Sequence, residues 1–141
     1  ALARHGAQVS VCARRWEQAA AVAALAGGTV GAWPPAAGSW DLLVNATPIG
    51  MWPDVEASPV PADDLSGRLV YDLVYNPPVT RLLREAARAG CATLGGLDML
   101  VAQARAQFRW WTGLEPDGLV MREAADARLG HEARAAGTAG A

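Results

Sequence analysis

The sequence predicts an α/β protein built on a doubly wound parallel sheet. Short apolar or β-branched runs alternate with helix-forming segments along most of the 141 residues, the pattern of a parallel sheet covered on both faces. Two of these runs, DLLVNA (41–46) and RLVYDLVY (68–75), are apolar almost throughout. Strands buried on both sides read that way. Each motif with chemical content also starts where a predicted strand ends, and in such sheets ligands collect beyond the carboxyl ends of the strands.

Residues 1–5 read as the end of a helix stopped by Gly6, and 8–12 as a short strand. Arg15 to Ala26 is rich in helix formers and is closed by Gly27 and Gly28. A weak strand at 29–32 and a loop through Ser39 lead to the apolar strand 41–46. From Thr47 to Gly67 the chain carries Pro48, Pro53, Pro59 and Pro61, so it reads as an irregular connection of the kind that lines sites. After the strand 68–75, Asn76 is expected to cap a helix that begins at Pro77, runs to Ala89 and stops at Gly90. A short strand at 91–94, a helix from Gly95 to Gly113 and a last helix at 117–129 follow. Small residues dominate from Gly130, where a disordered tail is expected.

Composition excludes several chemistries. The net charge is −2, which gives no electrostatic reason to expect nucleic acid or an anionic membrane as partner. All twelve basic residues are arginine, so this chain supplies no lysine as Schiff base or tuned acid. Cys12 and Cys91 lack CxxC spacing and read as buried thiols, not metal ligands or a disulfide. No apolar run reaches membrane-spanning length and no leader-like segment opens the chain, so a cytoplasmic location is expected. His5 and His131 have no partner that would make either a base or a ligand, and Trp110 and Trp111 read as packing surface.

Four motifs stand at predicted strand exits. Ala13, Arg14 and Arg15 follow the first strand; the two guanidinium groups could bind a phosphate in bidentate fashion, or simply open a solvated helix. In a dinucleotide site, an acid at this place selects ribose hydroxyls, whereas arginine accommodates a 2′-phosphate. VNATPIGM (44–51) follows the central strand, with Pro48 ending strand pairing and Gly50 permitting close backbone approach. In YDLVYNPPVT (71–80), alternation puts Asp72 and Val74 on one side and Leu73 and Tyr75 on the other. Asp72 reads as satisfying loop amides, and Tyr75 as a rim tyrosine or a contact for a hydroxylated ring. In GGLDMLVAQARAQFRWWTG (95–113), Gly96, Met99 and Gln103 form one stripe, while Leu97, Leu100, Val101, Ala104, Phe108 and Trp111 form the stripe expected to seat the helix on a core.

Taken in order, these motifs resemble the C-terminal half of shikimate dehydrogenase, over nearly everything from Gln8 to about Leu129. The resemblance implies a Rossmann-like NADP-binding domain over residues 1–129 with C-terminal helices, lacking the first strand and its glycine-rich loop, and a tail over 130–141. It implies reversible NADPH-dependent reduction of 3-dehydroshikimate to shikimate. NADP contacts fall on Ala13, Arg14, Arg15, Thr47, Leu73 (through its backbone), Gly96 and Met99, and substrate contacts on Tyr75 and Gln103. Where the family usually has Asn-Arg-Thr, this chain has Ala13-Arg14-Arg15, so only Arg14 matches. The family's catalytic lysine and aspartate belong to a substrate domain that would precede Ala1, and no residue here stands in for that lysine. The sequence is therefore expected to be a fragment, inactive alone, with no catalytic residue or metal ligand of its own. The same motifs suit a quinate/shikimate dehydrogenase or a dehydroquinate dehydratase fusion, and a noncatalytic NADP-binding regulatory module is the competing class.

Overall fold

The computed structural model describes residues 2–138, with the backbone alone from 130 onward. Five strands and four helices alternate: β1 (Ser10–Val11), α1 (Trp16–Ala26), β2 (Thr29–Val30), β3 (Leu42–Asn45), β4 (Leu69–Asp72), α2 (Arg81–Arg88), β5 (Ala92–Leu94), α3 (Gly96–Thr112) and α4 (Gly118–Thr138). Single 3-10 turns occupy Leu2–His5 and Ala62–Asp64. The α1 stop works as the sequence predicts: Gly27 is left-handed, at φ 66°, and its N–H returns to the carbonyls of Ala23 and Ala24.

All pairings are parallel, but the strands form two sheets. β1 pairs with β2, and β3, β4 and β5 pair in that order. In a doubly wound sheet of order 3-2-1-4-5-6, β2 and β1 would stand for places 3 and 2, and β3, β4 and β5 for places 4, 5 and 6; among the described residues β1 and β3 are not paired with each other.

The main core lies on the β3–β5 sheet. Val70 of β4 and Leu82, Leu83 and Ala86 of α2 pack with Cys91, Val60 and Leu65, and Trp40 and Leu43 close the cluster. Strict alternation in β4 buries Val70 and Asp72 completely. The proline-rich connection is more than a site-lining loop, since Val60 and Leu65 from it are core residues.

Three expectations are corrected. Helix α2 starts at Arg81, with Thr80 and not Asn76 as its cap; the Thr80 hydroxyl accepts a hydrogen bond from the Leu83 N–H at 3.3 Å. Pro78 disfavours helical backbone at Pro77, which keeps the segment 76–79 out of the helix. In α3, only Gly96 and Leu97 are buried, whereas Phe108 is 36% and Trp111 72% exposed. The helix docks on the sheet by its first turn and packs further along against α4. Helix α4 extends to Thr138, past the expected end at Leu129. The alanine-rich run after Gly130 has the propensity to continue a helix, and the rest of the expected tail, 139–141, lies outside the described residues. No helix among the described residues is long and apolar enough to cross a membrane.

Candidate functional site

The exits of β3, β4 and β5 share one edge of the three-stranded sheet, and one buried polar cluster joins the first two. Asn45 ends β3 and Asp72 ends β4, directly paired in register. The Asn45 Nδ2 donates to Asp72 Oδ1 at 2.9 Å and to the carbonyl of Ile49 at 3.3 Å. Its Oδ1 accepts from both the backbone N–H (3.0 Å) and the hydroxyl (2.7 Å) of Thr47. Asp72 Oδ1 also accepts from the Val74 N–H at 3.0 Å, and Oδ2 accepts from the Thr80 hydroxyl at 2.6 Å. Asn45, Asp72 and Thr80 are all buried, so the bonds among them act where water does not compete, while those to Thr47 and Ile49 are part-buried.

Burial raises the Asp72 carboxyl above its usual value, and the bonds from Thr80, Val74 and Asn45 pull it back only in part. Asp72 thus serves loop amides, as the sequence suggests. Its links to Asn45 and Thr80 go beyond that expectation. An asparagine and an aspartate at the ends of neighbouring apolar strands, with a threonine ahead of the next helix, were the available signal.

The β4 exit meets α3 at Gly96. A Cβ on Gly96 would stand 2.3 Å from the Leu73 carbonyl oxygen and 2.6 Å from that of Val74. The absence of a side chain is thus required by protein backbone. Tyr75, 41% exposed, lines a hollow of about 320 Å³ with Met51, Trp52, Asn76, Leu100 and Leu129. A hydrogen bond from Trp52 N–H to the Asn76 carbonyl, 3.0 Å, ties the two loops together at its rim.

The remaining candidates stand apart from this group. Gln103 is exposed on α3 and does not line the Tyr75 hollow, and Met99 is half-buried one turn before it. Arg14 and Arg15 are exposed between β1 and α1, beside half-buried Ala13. Neither guanidinium has an ion-pair partner among the described residues, in contrast to Arg81, Arg84, Arg105, Arg109 and Arg122. Two unpaired guanidinium groups at a strand exit can receive a phosphate without first breaking a salt bridge. A second hollow of about 500 Å³ lies between α2, α3 and α4, bordered by Pro78 and Val79 of the 71–80 motif and by Gly95 and Leu97 at the start of α3. Among the described residues, no group of three histidine, cysteine or acidic side chains could hold a metal ion.

Residues 96–125 match the family model described as shikimate 5′-dehydrogenase C-terminal domain. Curated relatives named shikimate dehydrogenase (NADP(+)) include one from Archaeoglobus fulgidus, 52% identical over 89 residues, which are 62% of this chain and 33% of the relative. Another, from Halobacterium salinarum, is 44% identical over 133 residues, 92% of this chain and 50% of the relative. The chain thus spans between a third and a half of the length of these relatives. In three dimensions it is similar to a shikimate 5-dehydrogenase from Thermus thermophilus in complex with NADP(H) and shikimate. The TM-score is 0.77 and the identity 43%, over 89% of this chain and 48% of that one.

Proposed function

We propose, for a chain related to the shikimate dehydrogenases over their C-terminal part, that it is the cofactor-holding half of an NADP-dependent enzyme that interconverts 3-dehydroshikimate and shikimate in the cytoplasm. The observation that carries the reading is the joining of three strand exits at one sheet edge. Asn45 and Asp72 bind the loop of Thr47 to the segment of Leu73 and Tyr75, and Gly96 seats α3 on that same segment.

The residues present fit the cofactor. Arg14 and Arg15, unpaired and exposed, would take the 2′-phosphate that distinguishes NADP from NAD. Thr47, the Leu73 backbone, Gly96 and Met99 would border the nicotinamide end. The Thr47 hydroxyl spends its proton on Asn45 Oδ1, so toward a ligand it can only accept. When bound, the nicotinamide supplies the hydride. Tyr75 would hold the hydroxylated ring, and Gln103, donor and acceptor without charge, would reach the substrate from α3. This chain has no lysine, so on this reading the proton that accompanies the hydride would be handled by groups outside it.

The test uses the complete protein that carries this chain, assayed for reduction of NADP by shikimate. Arg14→Ala should weaken NADP by roughly ten- to a hundredfold, the worth of charge-assisted hydrogen bonds to a phosphate, and leave NAD nearly unchanged. Equal losses for both cofactors would show that Arg14 does not read the phosphate. Failure of the parent protein to oxidise shikimate would overturn the function itself.

A further inference from the structure

The Asn45–Asp72–Thr80 cluster does more than stabilise a sheet edge. We infer that Asp72 is a positioning residue for hydride transfer, acting through Asn45 on the Thr47 loop and through the Val74 amide on the Leu73–Tyr75 segment. This rests on the function proposed above.

The chemistry of the carboxylate gives the reason. An ionised carboxylate only accepts hydrogen bonds. It therefore admits only the NH₂ of Asn45, the orientation that the Ile49 carbonyl and the Thr47 N–H also require, and leaves Oδ1 facing Thr47. A neutral amide at position 72 has one acceptor oxygen and one NH₂ donor, so it cannot replace both oxygens that Asn45, Val74 and Thr80 use. The other oxygen of Asp72 takes the proton of the Thr80 hydroxyl, whose own oxygen caps α2. One carboxylate thus fixes the loop after β3, the extended segment after β4 and the start of α2. Those first two segments carry Thr47, Leu73 and Tyr75, while Arg14 stands on the other sheet, paired to none of this cluster. Loss of the carboxylate should then shift the reacting end without touching the phosphate end.

The experiment compares Asp72→Asn, Thr80→Val and Thr80→Ser in the complete protein. Asp72→Asn and Thr80→Val should lower kcat for shikimate oxidation by about tenfold or more, as small misplacements of reacting groups do. NADP dissociation should stay within about threefold of the parent. Thr80→Ser keeps the hydroxyl and should recover most of the rate. The inference is overturned if kcat in Asp72→Asn and Thr80→Val stays within about twofold of the parent, or if NADP affinity falls in step with kcat. Should Asp72→Asn not fold, the contrast between Thr80→Val and Thr80→Ser decides alone. If the parent turns over no shikimate, the function fails separately, and amide hydrogen exchange still judges the positioning. Faster exchange at Thr47 and Val74 with β4 unchanged supports it, and unchanged exchange there sinks it.

Discussion

Asp72 shows how one residue type can be demanded by two opposing physical terms. Burial raises its carboxyl, while three donors, Thr80, Val74 and Asn45, favour the ionised form. With a folded-state value above the 3.8 of a free aspartate, the group binds protons more tightly folded than unfolded. Its contribution to stability is full below 3.8 and is lost as pH rises through the raised folded value. Thermal unfolding of the parent and Asp72→Asn, followed from about pH 3 to 7, should show a slope in this window that the variant lacks. Parallel pH profiles would show that Asp72 titrates alike in both states. Tyr75 and Asp72 could be placed on opposite faces from alternation alone, because that depends only on local backbone. The Asn45 link could not, since it joins residues 27 apart in sequence and depends on strand register.

Among the elements, α3 departs furthest from its sequence pattern. An apolar stripe from Leu97 to Trp111 predicts burial along the whole helix, yet only the first turn meets the sheet. Periodicity reports that a face wants cover but not what covers it. Gly96, on which the resemblance places a cofactor contact, also lies against the Leu73 and Val74 carbonyls, which occupy the space its side chain would fill. Gly96→Ala should therefore push α3 off the β4 exit and cost about 1 to 3 kcal/mol, the usual range for an added group in a packed site. Urea unfolding of the complete protein measures it, and an unchanged midpoint would refute the contact. Helix α2 starts later than the Asn76 signal suggests because Pro78 keeps Pro77 out of helical backbone, and the Thr80–Asp72 bond then holds the cap one turn further on.

At the scale of the whole molecule, the alternation of strands and helices was legible, and so was the parallel sheet. The break between β1 and β3 fits a five-strand reading of a six-place sheet. A sheet with its central place empty would leave backbone groups of the neighbouring strands without ladder partners, a defect comparable with the roughly 5 to 15 kcal/mol that holds whole domains together. Expressed by itself, this 141-residue chain should unfold without a sharp transition and turn over no shikimate. Circular dichroism against temperature, together with the NADP assay, checks both, and a cooperative melt with turnover would contradict the expectation.

The open flank of β3 has a consequence for handling the chain. Leu42 and Val44 on that strand are more than a third exposed, and natural proteins guard such borders with charged side chains, above all lysine. None is available in this sequence. At high concentration the flank of one copy offers a template for an extended stretch of another, so solubility should depend on filling that seam.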